Sequence, residues 1–371
     1  MFYHWLAPLS STHIVFNLFN YISFRAGGAL VTAWLLAFLV GPVVIRQLRS
    51  RKIGQVIRAD GPSAHQEKRG TPTMGGIIII VATLAPTLLW AQVGNRFVLV
   101  AMLATLWMGT VGCLDDYLKG VQGKSRGLVA KWKLLGQSSF GLMLGIMLLV
   151  DPVVSPDLIP ASATTVPLFK YVVIVFTPAA FVLFVTFVIT GTTNAVNLTD
   201  GLDGLAAGLT AIAAGAFGVF AYVYGRVDVT EYLNVFYLSG AGELAVFCAA
   251  LLGASLGFLW FNAHPAGVFM GDTGSLAIGG ALGTVAILLK AEFLLAIVGG
   301  VFVLEVLSVI LQVGYFRYTA AKHGSGRRLF RMAPIHHHFE QLGWPESKVV
   351  VRFWIMGILC AMVAFSALKI R

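Results

Sequence analysis

The sequence predicts an all-α, polytopic integral membrane protein of about ten transmembrane helices, with its active-site cleft on the cytoplasmic face. Of its 371 residues, 58% are hydrophobic and only 11% are charged, and the mean hydropathy is +0.84. Soluble domains carry about 25% charged residues. The apolar residues also form runs of about 20, the length at which a helix crosses a bilayer. We therefore expect residues 1–371 to form one membrane domain, with no separate soluble domain.

Ten apolar runs are long enough to span a membrane. Each is predicted to be an α-helix, because the bilayer core has no water to satisfy exposed backbone polar groups. In chain order the runs are Gly28–Leu48, Gly75–Val93, Phe97–Leu114, Leu134–Val150, Tyr171–Ile189, Leu205–Tyr224, Leu244–Trp260, Ser275–Leu289, Phe293–Phe316 and Val349–Leu368. The N-terminal residues lack the basic start of a cleaved signal peptide, and residues 151–170 are expected to be an ordinary connector.

The loops between these runs indicate the orientation of the protein. Lys and Arg number seven in residues 46–74, five in 115–133 and six in 317–348, whereas four opposite loops hold one each. Loops rich in Lys and Arg lie in the cytoplasm. We therefore expect a cytoplasmic cleft, with both termini on the outer side. The net charge of +10 is spread over these loops, which favours anionic lipid head groups over nucleic acid as a partner.

The segment NAVNLTDGLDGLA is the most polar stretch beside an apolar run. It places Asn194, Asn197, Asp200 and Asp203 at three-residue intervals. Polar groups beside a bilayer are costly to keep there and are usually functional. Asp200 could instead cap a helix that begins near Gly201, which would explain one of the two acids.

A second cluster, DDYLK, closes the third apolar run. If this segment is helical, Asp115 and Lys119 are four residues apart and face each other. The adjacent carboxylates of Asp115 and Asp116 repel each other unless they share a proton or a cation. A divalent metal that also holds phosphate would meet that need. The alternative is a solvated helix end with one ion pair.

The segment FMGDTGS, which begins at Phe269, precedes the eighth run. Its glycines suit a tight loop whose amides can face phosphate, and Asp272 adds an oxygen ligand of the kind that Mg²⁺ prefers. Asp272 or Thr273 could also simply cap the following helix. Asn262 and His264, just after the seventh run, could hydrogen-bond a base or a sugar.

The remaining cytoplasmic clusters contain histidine, lysine and arginine. His336, His337 and His338 lie in the segment PIHHHFE and could bind phosphate or transfer protons near neutral pH. One metal is not expected to bind all three, because consecutive helical side chains diverge by about 100°. Lys68 and Arg69 could meet a polyanion or act only as topology signals.

One acid, Glu305, lies inside the ninth apolar run, near Ser308 and Gln312. An intramembrane acid is either functional or holds helices together through an internal hydrogen bond. The sequence contains no GxxxxGK[ST], which excludes a P-loop ATPase. Together the polar clusters suit a phosphorylated, water-soluble substrate that is brought to a bilayer surface.

The motifs DDYLK, NAVNLTDGLDGLAAG, FMGDTGSLA, PIHHHFE and HxxKRGTPTMGG, which span about residues 65–340, resemble the phospho-N-acetylmuramoyl-pentapeptide-transferase family. The resemblance implies a Mg²⁺-dependent enzyme of the bacterial inner membrane. It would transfer phospho-N-acetylmuramoyl-pentapeptide from UDP-N-acetylmuramoyl-pentapeptide to undecaprenyl phosphate, giving lipid I and UMP for peptidoglycan synthesis. The resemblance is also compatible with a homodimer.

The resemblance further implies roles for individual residues. Asp272 is expected to hold the metal, and Asp115 or Asp116 to accept a proton beside the lipid phosphate. The residues expected to be catalytic are Asp115, Asp116, Lys119, Asp272 and His336. The residues expected to bind substrate are Lys68, Asn194, Asp200, Asp203, Asn262, Phe269 and His337. Both a one-step reaction and an aspartyl-phosphate intermediate are compatible with these residues.

Two alternatives are distinguished by specific features. A sister transferase of N-acetylglucosamine phosphate would share the acidic motifs, and the HHHFE segment separates it from the muramoyl-pentapeptide branch. A transporter would place its polar residues near the bilayer midplane. The clusters here lie at the ends of the apolar runs instead.

Overall fold

The computed structural model describes residues 1–51, 70–120, 128–154, 159–169 and 172–369. Within these ranges the chain is helical, apart from 3₁₀ turns, irregular connections and one two-stranded sheet. The helices and strands are α1 (Phe2–Leu6), α2 (Ile22–Ser50), α3 (Gly76–Trp90), α4 (Arg96–Gly120), α5 (Ala130–Val150), β1 (Ala163–Thr165), β2 (Val173–Val175), α6 (Pro178–Thr199), α7 (Leu205–Tyr224), α8 (Val227–Leu233), α9 (Leu244–Asn262), α10 (Gly271–Leu288), α11 (Glu292–Val298), α12 (Gly300–His323), α13 (Ile335–Gln341) and α14 (Glu346–Ser366).

The predicted all-α membrane fold is confirmed. In the described ranges, nine helices are long and apolar enough to cross a membrane. Helix α3 is also apolar but has only 15 residues, and it corresponds to the second predicted run. The chain is therefore a multi-pass membrane protein whose helices match the ten runs in order.

The predicted start of the fifth run at Tyr171 is wrong. Helix α6 begins at Pro178, which suits a first turn because proline has no backbone N–H to leave unpaired. Thr177 caps this end by accepting a hydrogen bond from the Ala180 amide. The residues before it form β2, which pairs antiparallel with β1. The expected plain connector at 151–170 therefore contains a strand.

The ninth predicted run is interrupted. Helix α11 ends at Val298 and helix α12 begins at Gly300. Two successive glycines, Gly299 and Gly300, weaken a helix here because glycine is a poor helix former. Helix α12 then continues to His323, beyond the expected end at Phe316.

Helix α6 also extends further than expected. It ends at Thr199, so Asn194 and Asn197 lie on the helix and not in a loop. The predicted capping role of Asp200 is wrong, because α7 begins at Leu205 and its N-cap residue is Gly204. Gly204 has a positive φ of 80°, a conformation that glycine adopts without the steric penalty of other residues.

Helix α10 forms the centre of the bundle. All of its residues from Asp272 to Leu288 are buried. It packs against α4 and α6 over much of its length and against α3 near its start. The first turn of α10 is therefore enclosed by neighbouring helices, and the polar side chains there face protein groups.

Glycines permit a close approach of the backbones around this first turn. A Cβ atom at Gly112 on α4 would lie 2.1 Å from the carbonyl oxygen of Asp272, and one at Gly76 would lie 2.1 Å from the Gly274 amide nitrogen. The backbone would have to move to accommodate either atom. Gly112 therefore allows the DDYLK end of α4 to meet the start of α10.

Gly112→Ala is expected to destabilise the protein by about 1–3 kcal/mol, as other overpacked substitutions do. The added methyl group meets backbone atoms, which cannot rotate away. The midpoint of thermal unfolding in detergent measures this effect. Gly191→Ala on α6 is the matched control, since a Cβ there meets no atom within 4 Å. Equal midpoints for the two variants would contradict the packing of α4 on α10.

Candidate active site

The candidate active site lies where the C-terminal ends of α4 and α6 meet the N-terminal end of α10. Three carboxylates converge there, those of Asp115, Asp116 and Asp272, with exposed fractions of 2%, 3% and 9%. Buried carboxylates need hydrogen-bond donors or cations as partners. Each of the three has a different set of partners, so their roles differ.

Asp116 binds the start of α10. One oxygen accepts a hydrogen bond from the Asp272 amide at 3.1 Å, and the other accepts from the Thr273 amide at 2.8 Å and the Thr273 hydroxyl at 2.7 Å. The first amides of a helix have no partners within the helix and attract negative charge. Asp116 therefore caps α10 from another helix. The expectation that Asp272 or Thr273 caps this helix is wrong.

Asp115 faces the cleft beside Lys119. Its Oδ2 accepts a hydrogen bond from the Lys119 ammonium group at 2.7 Å, four residues along α4. Its Oδ1 accepts from the Leu128 amide at 2.5 Å. The predicted pairing of Asp115 with Lys119 is confirmed. The Leu128 amide, 13 residues further along the chain, binds the same carboxylate.

Asp272 is the point at which the polar groups converge. Its Oδ2 accepts hydrogen bonds from the ammonium groups of Lys119 at 2.8 Å and Lys133 at 2.9 Å. Its Oδ1 accepts from the Asn197 side-chain amide at 2.6 Å. Helices α4, α5 and α6 thus each contribute one side chain to this carboxylate.

Sequence reasoning missed the role of Lys133, which was counted only as a topology charge. Lys133 lies in the first turn of α5. Its ammonium group is also 3.2 Å from the side-chain oxygen of Asn197 and 3.7 Å from Oδ2 of Asp115. Its position at the start of an apolar helix was the available signal. It was indistinguishable from that of the exposed Lys131 two residues earlier.

Asp200 lies beside the same site, where its carboxylate is close to the Gly271 amide. The residue as a whole is partly exposed. Desolvation of the carboxylate, followed by the negative charges of Asp272 and Asp116, raises the pKa of Asp200 well above its ordinary value. Burial of the carboxylate is the larger of these two causes.

The composition of the site is relevant to metal binding. Among the described side chains, the site brings four carboxylates together with two ammonium groups. The carboxylates are those of Asp115, Asp116, Asp200 and Asp272. Mg²⁺ is held by one or two carboxylates together with phosphate oxygens. The donor set therefore fits a divalent cation, and Asp272 is the most central of these carboxylates.

Asn194 does not join this site. Its side-chain amide donates to the side-chain oxygen of Gln137 at 2.8 Å and to the backbone carbonyl oxygen of Thr190 at 2.7 Å. It therefore connects α6 to α5, while Asn197, one turn further on, reaches Asp272. In this polar stretch, Asn194 joins two helices and Asn197 belongs to the site.

A second group of predicted residues surrounds the turn between α6 and α7. Asn262 accepts a hydrogen bond from the Gly204 amide at 3.0 Å and donates to the Val268 carbonyl oxygen at 2.9 Å. Asp203 accepts from the Ala266 amide at 3.1 Å and lies 3.2 Å from His264. These contacts bring the turn against the segment that leads to Phe269 and α10.

Glu346 belongs to this second group and was not predicted. It accepts a hydrogen bond from the Asp203 amide at 2.7 Å. Ligand atoms of Asp203, His264 and Glu346 lie within 4.8 Å of one another, which is close enough to hold a metal ion. The first residue of α14 thus contacts a turn 143 residues earlier in the chain.

The histidines of α13 are arranged differently from one another. His336 is fully buried, and its Nδ1 lies 3.1 Å from a carboxylate oxygen of Glu305. His337 lies beside Glu340, with 2.6 Å between His337 Nδ1 and the nearer carboxylate oxygen. Lys68, the remaining predicted site residue, is outside the described residues.

Comparison with known proteins identifies the family. Residues 98–290 match the family model of glycosyl transferase family 4, and residues 68–80 match signature 1 of phospho-N-acetylmuramoyl-pentapeptide-transferase. Proteins with that transferase name from Gemmatimonas aurantiaca, Desulfotalea psychrophila and Endomicrobium trichonymphae are 56%, 50% and 48% identical to this chain. Each comparison covers 100% of both chains. The chain therefore belongs to the phospho-N-acetylmuramoyl-pentapeptide-transferase family.

Proposed function

We propose that this protein transfers phospho-N-acetylmuramoyl-pentapeptide from its UDP-linked donor to undecaprenyl phosphate, producing lipid I and UMP. The convergence of Lys119, Lys133 and Asn197 on Asp272, beside Asp115, is the structural observation that supports this function. It places positively and negatively charged side chains in one cleft, as a reaction between two phosphate anions requires. The full-length relatives carry the name of this transferase.

The reaction forms one phosphorus–oxygen bond and breaks another. An oxygen of undecaprenyl phosphate attacks the β-phosphorus of the donor. The bond from that phosphorus to the oxygen bridging the two phosphates breaks, and UMP leaves with the bridging oxygen and its electron pair. Catalysis of such a transfer depends mainly on alignment and on neutralisation of charge.

Lys119 and Lys133 are suited to bind the phosphate oxygens. Their ammonium groups lie at the mouth of the carboxylate cluster, with exposed fractions of 38% and 16%. Asp115 would accept any proton that the acceptor phosphate carries, since its oxygens have fewer donors than those of Asp116. The three hydrogen bonds to Asp116 assign that carboxylate to holding α10 in place.

Mg²⁺ would be held by Asp272, with Asp200 nearby. When bound, it would neutralise negative charge on the phosphate oxygens. The gathering of four carboxylates with two ammonium groups among the described residues supports this assignment. Asn197 orients the Asp272 carboxylate through its hydrogen bond to Oδ1 and a second one to Ser275 at 2.8 Å.

The uridine end of the donor would bind at the second group of residues. Asp203 lies in the α6–α7 turn, which contacts Asn262 at the end of α9 and the loop that contains Phe269 and leads to α10. A donor bound there would have its diphosphate directed toward Asp272. Lys68 and His337 are assigned to substrate binding by the family resemblance.

We also propose the bacterial inner membrane as the location, with the site facing the cytoplasm and both termini on the outer side. The excess of Lys and Arg in three loops supports this orientation. Residues 1–371 would act as one domain, and two copies could associate as a homodimer. A transporter is disfavoured because Asp115 and Asp272 lie at helix ends and not midway along a span.

The proposed function is tested by UMP release from purified protein in detergent with undecaprenyl phosphate and Mg²⁺. UDP-N-acetylmuramoyl-pentapeptide and UDP-N-acetylglucosamine are compared as donors, each with an EDTA control. Release from the muramoyl donor alone, abolished by EDTA, is expected. Release from the glucosamine donor instead would favour the sister transferase. No release from either donor by folded protein would reject both.

Lys133→Gln is expected to lower the rate of UMP release by about 100-fold, since it removes one of two ammonium groups from the phosphate site. Thermal unfolding should change little, because glutamine can still donate a hydrogen bond to Asp272. Lys131→Gln is the matched control, since Lys131 is exposed and lies over the Trp132 ring. Equal rates for the two variants would remove Lys133 from the site.

A further inference from the structure

The pair formed by Glu305 and His336 is the most deeply buried acid–base contact outside the acidic cleft in the described part of the chain. Both residues have an exposed fraction of 0%, and His336 Nδ1 lies 3.1 Å from Glu305 Oε1. Glu305 lies on α12, and His336 is the second residue of α13. The contact therefore joins a membrane-spanning helix to the HHHFE segment.

A carboxylate in this position requires a partner. Removing a carboxylate from water is costly unless a donor or a cation faces it. Ser308 does not serve this purpose, because its hydroxyl donates to the backbone carbonyl of Glu305 and not to the carboxylate. Among the described residues neither carboxylate oxygen of Glu305 has a hydrogen-bond partner, and the imidazole of His336 lies within ion-pair distance of it.

The opposite edge of the His336 ring faces the turn that follows α6. A Cβ atom at Gly201 would lie 2.3 Å from His336 Nε2 and 2.9 Å from Cε1. The ring is therefore packed directly against the Gly201 backbone. Any rotation or displacement of the ring would be transmitted to this turn.

The Asp200–Gly201 turn also lies beside the acidic site. Asp200 precedes Gly201, and its carboxylate lies beside the Gly271 amide, one residue before Asp272. The contacts thus run from Glu305 through His336 and the Asp200–Gly201 turn to the first residue of α10. They connect the interior of α12 with the carboxylate proposed to hold the metal.

We propose that Glu305 is a positioning residue that orients His336 through Nδ1, so that the ring supports the turn at Gly201 and keeps Asp200 beside the start of α10. A buried carboxylate at ion-pair distance from one ring nitrogen restrains the orientation of an imidazole. This inference rests on the proposed transfer reaction. It differs from a general role in joining helices, because the effect of Glu305 on turnover must pass through His336.

The first test compares Glu305→Leu, Glu305→Gln and Ser308→Ala in the UMP-release assay. Glu305→Leu is expected to lower kcat by about 10- to 100-fold, as loss of a residue that orients a site histidine does. The loss is expected mainly in kcat, with a smaller change in KM for the donor, because the same turn also carries Asp203. Glu305→Gln keeps a hydrogen-bond acceptor and should lose less. Ser308→Ala, a buried change one turn away, should match the unaltered protein.

The second test is a double-mutant cycle with His336→Ala. If Glu305 acts through His336, then adding Glu305→Leu to His336→Ala causes no further loss of kcat. Multiplied losses, or an unchanged kcat in Glu305→Leu, would overturn the proposal. Glu305→Gln replaces Glu305→Leu in the cycle if the leucine variant does not fold.

The same cycle is measured by thermal unfolding in detergent, which needs no substrate. Non-additive shifts in the unfolding midpoint are expected from a direct Glu305–His336 contact, and additive shifts would contradict it. Absence of UMP release from the unaltered protein would reject the proposed reaction. The unfolding cycle would still decide whether the two residues act together.

Discussion

Asp272→Asn is expected to abolish UMP release while the protein remains folded. The substitution removes the negative charge to which Lys119, Lys133 and Asn197 converge. Loss of charge stabilisation at one group of an active site costs about 10³-fold in turnover, and loss of the metal would add to this. The hydrogen bonds from α10 to Asp116 use backbone amides and the Thr273 hydroxyl, so they survive the change.

Two measurements check this prediction in the same samples. UMP release reports turnover, and electron paramagnetic resonance of added Mn²⁺ reports metal binding. Weak Mn²⁺ binding with an unchanged unfolding midpoint is expected for Asp272→Asn. Asp228→Asn, a change at an exposed acid paired with Arg226, is the control and should behave as the unaltered protein. Normal Mg²⁺-dependent turnover in Asp272→Asn would remove Asp272 from the site.

Asp116→Asn is expected to lower both stability and turnover. Asparagine has one carbonyl oxygen, whereas both oxygens of Asp116 accept hydrogen bonds from the start of α10. Its NH₂ group would therefore face a backbone amide of Asp272 or Thr273, and a buried donor would lose its partner. An unsatisfied buried donor costs about 1–3 kcal/mol. Turnover falls as well, because displacement of the first turn moves Asp272.

The comparison of the two aspartate variants separates their roles. Both replace a buried carboxylate with the amide of the same shape. Thermal unfolding in detergent should show a lower midpoint for Asp116→Asn than for Asp272→Asn. If the midpoint of Asp116→Asn equals that of the unaltered protein, Asp116 does not cap α10, and its carboxylate would be free for a role in catalysis.

The sequence predicts the membrane helices well because length and hydropathy determine them directly. All ten runs have a matching helix, including the short α3. The limits of the helices were harder to predict. Polar residues such as Asn194 and Asn197 look like the end of a helix, yet α6 continues through them because Gln137 and Asp272 satisfy their side chains.

The acidic motifs are also recognisable in the sequence, but the different roles of their aspartates are not. Adjacent residues Asp115 and Asp116 look equivalent in the sequence. Because successive side chains on a helix diverge by about 100°, one carboxylate faces Lys119 and the other faces α10. The partner amide of Asp116 is 157 residues away, a separation that no local pattern reveals.

Glu305 and Lys133 are two further residues whose partners the sequence does not reveal. Glu305 was noticeable as an acid within an apolar run, but only the fold places His336 against it. Lys133 was not noticeable, because a basic residue at a helix start has an ordinary explanation in topology. In both cases the function of the side chain depends on a helix that is distant in sequence.

The fate of the two donor phosphates tests the central claim most directly. Purified protein is given undecaprenyl phosphate, Mg²⁺ and UDP-N-acetylmuramoyl-pentapeptide carrying radioactive phosphorus in either the α or the β position. The proposed transfer predicts that the β label moves to the lipid extract and the α label stays in UMP. Both labels remaining together in the water-soluble donor, or release of the β label as inorganic phosphate, would contradict it.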